Sequence, residues 1–408
     1  MIMPPSRSDA PPAGPSPSTR STDGDTVPLA CDLFCAVVDN FGDIGVCWRL
    51  ASQLAREHGW RVRLFVDDLA TFARLVPRLD PALAHQTIDG IAIEQWGQPV
   101  HVGDTLAIAD VVIEAFACEL PAEYVAAMSR RERTPVWINL EYLSAEDWVA
   151  DFHQRPSPHP RYALQKTFFF PGLGPGTGGV LKEADLDARR IAFSRSADAR
   201  DAWWRAATGA PAPEPAALTV SLFAYENPAL EALLAQWRDG EQPVVLLVPQ
   251  GRISPAVARF FGVAHFDAGS RATAGRLTAH RLAFVAQPDY DLLLWACDLN
   301  FVRGEDSFVR AQWARKPFVW HIYPQADEAH LPKLDAALAH LCAGLPEAAQ
   351  AATARFWHAW NGGGAPDWRD FVAHRDRLEA RALVWADQLA TVGDLAGNLA
   401  EFTKTQLK

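Results

Sequence analysis

Short apolar runs alternate with longer helical stretches along most of this chain, and this alternation restricts its fold more than any other feature. The first series begins with the apolar run 33–38 and continues through runs at 62–66, 111–114 and 136–139. Apolar runs of this length fit strands that are buried on both faces, with helices in the connections between them. The pattern predicts a parallel sheet covered by helices on both sides.

The same pattern occurs a second time after an interruption. Between about 145 and 210 the alternation weakens, and Pro, Gly and Arg become frequent. The second series has apolar runs at 218–223, 244–248, 282–285, 299–302 and 318–322. Helices are predicted between these runs, and long helices from about 367 to 407. Two such series predict an α/β fold in which two Rossmann-like domains face a cleft.

The chain divides into three predicted regions. Residues 1–28 are rich in Pro and Ser and hold too little apolar surface to form a core, so we predict a disordered tail. Residues 31–205 are predicted to form the N-terminal domain, which the last helix, at about 385–405, is expected to join. Residues 215–380 are predicted to form the C-terminal domain.

Charge and cysteine content exclude several classes of protein. Among 408 residues, 38 are Lys or Arg and 49 are Asp or Glu, and the net charge of −11 argues against a general nucleic-acid binder. No apolar run is long enough to span a membrane, for which about 20 residues are needed. The six cysteines form no CxxC pair and no zinc-type cluster, so no metal site is predicted. With no secretory signal visible, they favour a reducing cytoplasm.

The polar segment 39–45, which follows the first apolar run, is the first candidate site. Ligands of open α/β sheets bind beyond the carboxyl ends of the strands, and this segment carries Asp39 and Asp43. Two carboxylates would repel a pyrophosphate, and the segment lacks GxGxxG, although Asp67 stands where a ribose-binding acid would. The carboxylates of Asp39 and Asp43 suit a cation or a reacting proton better than a pyrophosphate. A purely structural role, in capping the turn and a helix predicted from 46 to 58, remains open.

A second candidate follows the run 299–302. Arg303 has a planar fork for phosphate oxygens, Gly304 permits close approach of the backbone, and Ser307 opens a helix whose N-terminus favours an anion. A diphosphate fits here, although a capped helix with local ion pairs is the alternative. Phe223, Tyr225 and Gln287 follow other predicted strands and are candidates for holding a base or a sugar. A GxGxxG string at 174–179 contains Pro175 and is interpreted as an ordinary loop.

Two long strings resemble the EarP family, the protein-arginine rhamnosyltransferases that modify elongation factor P. The first string is VDNFGDIGVCWRL at 38–50, and the second is CDLNFVRGEDSFVRAQ at 297–312. The string FVWHIYPQ at 318–325 extends the similarity, which covers about residue 31 to the C-terminus. Strings of this length are far more specific than a short glycine motif.

The resemblance implies a metal-independent, inverting glycosyltransferase of GT-B architecture that needs no cofactor. Its donor would be dTDP-β-L-rhamnose and its acceptor an arginine of elongation factor P, bound by the N-terminal domain. The family's catalytic residues correspond to Asp39, Asp43 and Glu305, with Asp43 as the expected base. Its nucleotide-sugar contacts correspond to Tyr225, Gln287, Arg303, Asp306 and Ser307, with Phe223 nearby. Asn40, Phe41, Gly42 and Gly304 complete the predicted substrate-binding set.

Two other functions are weighed beside this one. The strand–helix pattern also fits another nucleotide-sugar enzyme or an NAD-dependent Rossmann enzyme. A binding module for elongation factor P without catalytic activity is the second alternative. The presence of Asp39, Asp43 and Glu305 argues against a silent module.

Overall fold

The structure is a computed structural model that describes residues 28–38, 41–97, 107–325, 328–362 and 364–408. The predicted tail therefore lies almost entirely outside the described residues. The same holds for Asp39 and Asn40 of the first candidate site.

The N-terminal half is built around an eight-stranded sheet with the order β3-β4-β2-β1-β5-β6-β8-β7. Neighbouring strands are parallel except where β3 and β7 pair antiparallel at the edges. The central strands are buried along almost their whole length, as their apolar runs predict. The strands are β1 (Ala30–Cys35), β2 (Arg61–Val66), β3 (His85–Ile88), β4 (Ile91–Gln95), β5 (Val111–Ala115), β6 (Val136–Leu140), β7 (Pro156–Pro158) and β8 (Gln165–Phe169).

The first helix begins earlier than the sequence predicts. It covers Phe41–His58, so Asp43 lies in its first turn and not in a polar turn before it. A negative side chain is stabilised there by the unpaired N–H groups of the helix. Asp68 caps the next helix, because its Oδ1 accepts the Thr71 N–H at 2.9 Å. The helices of this half are α1 (Phe41–His58), α2 (Leu69–Leu75), α3 (Ala122–Ser129) and α4 (Trp148–Phe152).

The second sheet has the order β11-β12-β10-β9-β13-β14, with β11 as its antiparallel edge. The predicted strand at 282–285 is wrong. The strand ends at Arg281, where its parallel pairing with the neighbouring strand also ends, and the apolar run continues beyond it into the cleft. The strands are β9 (Leu218–Leu222), β10 (Val244–Val248), β11 (Arg271–Ala274), β12 (Leu277–Arg281), β13 (Leu299–Arg303) and β14 (Phe318–His321).

The remaining helices pack around the second sheet, except the last of them, which returns to the first sheet. The third of them starts at Leu230, and in the turn before it the Asn227 side chain accepts the Ala229 N–H at 2.9 Å. The helices are α5 (Leu186–Arg195), α6 (Ala197–Thr208), α7 (Leu230–Asp239), α8 (Ser254–Phe260), α9 (Gln287–Ala296), α10 (Asp306–Trp313), α11 (Leu331–Cys342), α12 (Glu347–Gly362), α13 (Trp368–Val372), α14 (Arg375–Ala390) and α15 (Leu395–Gln406).

The chain crosses between the two halves twice. Phe193 of α5 and Trp204 of α6 belong to the core around the second sheet. Leu395 and Leu399 of α15 belong to the core around the first sheet, where α15 packs against α1. Each core therefore contains residues from distant parts of the sequence.

The GxGxxG string packs against the turn before α15 and not against a ligand cavity. Gly179 has φ +70°, and a Cβ there would lie 2.3 Å from the Gly393 carbonyl oxygen. The neighbouring Gly178 carbonyl accepts a hydrogen bond from the Asn398 side chain at 3.1 Å. These glycines allow two backbone segments to approach closely. No helix among the described residues has the length and apolar character needed to cross a bilayer.

Candidate functional site

Two cavities meet in the cleft between the sheets. One, which we call the Arg303 cavity, has a volume of about 690 Å³ and is open to solvent. The other, the Asp43 cavity, has a volume of about 910 Å³ and is also open to solvent. Gly42, Gly304 and Glu305 line both cavities, so the two cavities adjoin at these residues. A group held there is within reach of ligands in both cavities.

Aromatic rings hold Arg303 in place. It is the last residue of β13, and its guanidinium lies 4.5 Å from the ring centre of Phe223 and 4.7 Å from that of Tyr225. Such cation–π contacts restrain the guanidinium of Arg303, a residue that lines the Arg303 cavity. A fixed guanidinium fork is a strong partner for phosphate oxygens.

The loop after β13 forms a tight connection into α10. Gly304 adopts φ +62°, a conformation that favours glycine. The Ser307 hydroxyl accepts the Arg303 N–H at 3.0 Å and donates to the Arg303 carbonyl. The helices α9 and α10 begin at Gln287 and Asp306, which both line the Arg303 cavity. Two helix N-termini beside one arginine make this cavity favourable for an anion.

The Arg303 cavity also has an aromatic wall, and one of its residues, Phe284, was not predicted from the sequence. Phe284 lies beyond the end of β12, and its ring centre is 5.6 Å from that of Phe41 in the other half. A flat ring such as a nucleobase stacks well on side chains of this kind. Phe284 was not predicted as a site residue, because the sequence pattern predicts a strand at 282–285 and a residue inside a strand is not expected to line a cleft.

Among the described residues, Asp43 and Glu305 supply the carboxyl groups that line the Asp43 cavity. Asp43 is 2% exposed, and its Oδ2 accepts the Val38 N–H at 2.8 Å. Glu305 comes from the opposite half, and its Oε2 accepts the Leu143 N–H at 3.1 Å. Burial raises the pKa of Glu305 to about 8, and the charges of Asp43 and Asp306 add to this shift. Glu305 therefore exchanges a proton close to neutral pH.

Aromatic residues also line the Asp43 cavity, and the sequence pattern did not predict them as site residues. The rings of Phe116 and Tyr142 are stacked with their centres 4.3 Å apart. Phe116, Ala117 and Glu119 all have positive φ angles, between 52° and 57°, which is strained backbone for residues other than glycine. Phe116 and Tyr142 closely follow β5 and β6, so the rule that sites form at carboxyl ends of strands would have found them.

Replacement of Glu305 by Gln is expected to raise the melting temperature relative to the wild type more at pH 8 than at pH 5. The Glu305 carboxyl group has a pKa of about 8 in the folded protein and an ordinary pKa of 4.5 when it is exposed. Between these two pH values unfolding releases a proton, so the free energy of unfolding of the wild type falls as the pH rises. Glutamine does not titrate, so the variant lacks this decline. Thermal melts at several pH values check the prediction, with the exposed Glu241→Gln as control. Melting temperatures of Glu305→Gln that parallel the wild type at every pH would contradict it.

The structure brings most of the predicted site residues together. The Arg303 cavity is lined by Phe41, Gly42, Phe223, Tyr225, Gln287, Arg303, Gly304, Glu305, Asp306 and Ser307. Asp43 lies in the adjoining cavity, which shares Gly42, Gly304 and Glu305 with the first. Asp39 and Asn40, which the sequence also selects, lie outside the described residues. Within the described parts of the chain, no group of three His, Cys, Asp or Glu side chains is arranged to hold a metal ion.

Comparisons with known proteins point to one family. Residues 31–404 match the family model described as Elongation-Factor P (EF-P) rhamnosyltransferase EarP. A protein-arginine rhamnosyltransferase of Pseudomonas aeruginosa is 49% identical, and the match covers 91% of this chain and 98% of that protein. One from Neisseria meningitidis is 40% identical over 76% of this chain and 78% of that protein.

Solved structures support the same assignment. The structure that explains EarP-mediated arginine glycosylation of translation elongation factor EF-P has a TM-score of 0.67 and 37% identity, over 92% of this chain and 99% of that one. MurG of Acinetobacter baumannii, with a TM-score of 0.51 and 14% identity over 93% of this chain and 99% of that one, shares the fold alone. The GT-B architecture predicted from the sequence is thereby confirmed. The chain belongs to the EarP family of elongation factor P rhamnosyltransferases and is a glycosyltransferase.

Proposed function

We propose that this protein transfers L-rhamnose from dTDP-β-L-rhamnose to an arginine side chain of elongation factor P, with inversion at the anomeric carbon. The observation that carries the proposal is the meeting of an anion-binding cavity and a carboxylate-lined cavity at Glu305. One cavity suits a nucleoside diphosphate, and the other suits a guanidinium. The sugar would lie where they join. With a translation factor as acceptor, the reaction belongs in the cytoplasm.

The Arg303 cavity supports the donor assignment. Arg303 and the N-termini of α9 and α10 provide positive charge for the diphosphate. Phe284 and Phe41 provide flat apolar surface for the thymine ring. When the bond between the sugar and the diphosphate breaks, the leaving dTDP carries away the bonding electrons. The same positive groups then stabilise the negative charge of dTDP.

The Asp43 cavity supports the acceptor assignment. A guanidinium ion is a poor nucleophile, because its pKa is above about 12 and its electrons are delocalised. Buried Asp43 attracts this cation and accepts its proton as the nitrogen attacks C1 of the sugar. A new C–N bond forms while the C1–oxygen bond to the diphosphate breaks. Attack from the face opposite the leaving group inverts the configuration.

Glu305 lies at the point where donor and acceptor would meet. With a pKa near 8, its carboxyl group is largely protonated at neutral pH before the acceptor enters. Arrival of a guanidinium favours the ionised form, because an opposite charge lowers the pKa of a carboxyl group. We assign Glu305 the role of orienting the sugar and the entering guanidinium.

Mass spectrometry of elongation factor P, incubated with this protein and dTDP-β-L-rhamnose, tests the proposed function. The expected product carries one additional deoxyhexose on an arginine, and fragmentation identifies the position. An acceptor in which that arginine is replaced by Lys serves as the control and should remain unmodified. We expect transfer to persist in EDTA, because the proposed mechanism uses no metal ion.

Two results would contradict the proposal. Transfer of the sugar to a residue other than arginine would show that the Asp43 cavity serves a different acceptor group. Binding of NAD in place of dTDP by the purified protein would instead favour the alternative of a Rossmann dehydrogenase. Mass spectrometry of the acceptor detects the first result, and calorimetric titration with dTDP and with NAD detects the second.

A further inference from the structure

Arg49 joins the two halves of the molecule directly behind the Arg303 cavity. It lies on α1 in the N-terminal half and is 7% exposed. Its Nε donates to Oδ1 of Asp306, at the start of α10 in the other half, at 2.7 Å. The two residues are 257 positions apart in the sequence. Asp306 itself lines the Arg303 cavity.

We propose that Arg49 is a positioning residue for donor binding, which acts by orienting and neutralising Asp306. This inference rests on the proposed function, because it takes the Arg303 cavity as the dTDP-sugar site. A bare carboxylate beside a diphosphate repels it, and the cost is larger in a cleft that excludes water. A guanidinium at 2.7 Å offsets that charge and fixes the direction of the carboxylate.

The position of Arg49 fits a supporting role better than competition with the donor. The described residues that line the Arg303 cavity include Asp306 and Gln287 but not Arg49. Arg49 lines a separate space, together with Glu183 and Pro288. It therefore approaches Asp306 from outside and leaves the donor space open. Asp306 keeps Oδ2 near the Gln287 amide, which donates to it at 3.3 Å.

A second ion pair keeps Arg49 in this orientation. Its Nη1 donates to Oε1 of Glu183 at 3.2 Å, and Oε2 of Glu183 accepts from Arg310 at 2.6 Å. Arg310 is 1% exposed and binds Asp291 through two hydrogen bonds of 2.8 and 2.6 Å. Burial raises the pKa of Glu183, but Arg310 and Arg49 outweigh that effect and lower it to about 2. Glu183 is therefore charged at neutral pH and is held by two guanidinium groups, one of which is that of Arg49.

The backbone of α1 contacts the same two donor-site residues. The Gln287 amide donates to the Gly45 carbonyl at 2.9 Å. A Cβ at Gly45 would lie 3.3 Å from that amide nitrogen and 3.7 Å from Cβ of Asp306. Gly45 thus lets α1 approach closely enough for Arg49 to reach Asp306. The N-terminal half therefore supports the proposed donor site, although the residues predicted to contact the donor lie mainly in the other half.

Calorimetric titration with dTDP and steady-state kinetics of Arg49→Met test the inference. We expect about a tenfold loss of dTDP affinity, the usual effect of losing a hydrogen bond to a charged group. The KM for dTDP-rhamnose should rise by about the same factor with kcat within about twofold, because Asp306 would contact the donor equally before and during reaction. Arg49→Lys keeps the charge and should recover part of the affinity. If Arg49→Met does not fold, the smaller loss in Arg49→Lys still decides the question.

Arg56→Met is the matched control. Arg56 lies on the same helix, is exposed, and pairs with Asp89 inside the N-terminal half at 3.0 Å. Its replacement should leave dTDP affinity and KM unchanged. Melting curves for every variant show whether the fold is retained.

A double-variant comparison identifies the route of the effect. In an Asp306→Asn background, Arg49→Met should weaken dTDP binding by less than about twofold, because the two residues act as one unit. An undiminished effect in that background would overturn the inference, and so would wild-type affinity of Arg49→Met. Tighter binding would overturn it as well, because Arg49 would then be a competitor of the donor. Failure of the wild-type protein to bind dTDP would overturn the proposed donor site itself, which is a distinguishable result.

Discussion

Replacement of Asp43 by Asn is expected to lower the rate of rhamnose transfer by roughly 10²- to 10⁴-fold, the usual effect of removing a general base. The amide keeps the size of the carboxylate and can still accept the Val38 N–H, so the fold should persist. It has no negative charge to attract a guanidinium and takes up no proton. Affinity for dTDP should change little, because Asp43 lines the acceptor cavity and not the Arg303 cavity. Initial rates and donor titration measure the two effects separately.

Asp67→Asn is the matched control for Asp43→Asn. Asp67 is exposed at the end of β2, and its side chain also accepts a backbone hydrogen bond, from Val37 at 2.9 Å. The same change of charge there should leave transfer unaffected. If Asp43→Asn abolished dTDP binding while the donor that still bound reacted at the normal rate, Asp43 would be a donor-site residue. The assignment as base would then be wrong.

Replacement of Arg303 by Ala is expected to weaken dTDP binding by about 10- to 150-fold, which corresponds to about 1.5–3 kcal/mol for a lost charge-assisted hydrogen bond. Arg303 is 8% exposed and its guanidinium lies against the rings of Phe223 and Tyr225, so little further ordering is needed when it binds an anion. Its loss removes both the charge and the planar fork. Calorimetric titration with dTDP measures the change.

Two further variants show which property of Arg303 matters. Arg303→Lys keeps the charge but not the fork, and should lie between the wild type and Arg303→Ala. Arg259→Ala removes an exposed arginine from α8 in the same half, outside the residues that line the cavity, and should bind dTDP normally. Wild-type affinity of Arg303→Ala would place the diphosphate elsewhere in the cleft.

The sequence predicts the general architecture because its signals are local. Apolar runs such as 299–302 mark buried strands, and parallel strands present their carboxyl ends at one edge of a sheet. Residues that follow different strands, such as Phe223 and Arg303, are therefore expected to meet on the strength of the sequence pattern alone. The fold brings these two together, with the guanidinium 4.5 Å from the ring centre.

Local signals fail where two structures fit the same short pattern. Residues 41–45 read as a polar turn, yet they form the first turn of α1 and carry Asp43 on a helix. The apolar run 282–285 reads as a strand, yet it lies past the end of β12 and contributes Phe284 to the cavity. Periodicity alone does not distinguish a strand from a short apolar loop segment. The parallel pairing with the neighbouring strand ends at Arg281, and this places Phe284 in the loop that lines the cavity.

By itself, the sequence determined the two strand–helix series, the loops that carry the candidate residues and, through long specific strings, the family. Only the tertiary structure decided how the two halves meet. The contact of Glu305 with Leu143 spans 162 positions and that of Arg49 with Asp306 spans 257. No propensity or spacing encodes such pairs, because they depend on the packing of two separately folded sheets and on the crossing of α15 back to the first. The chemistry of the cleft is set by these distant contacts, while the residues available for it are set by local sequence.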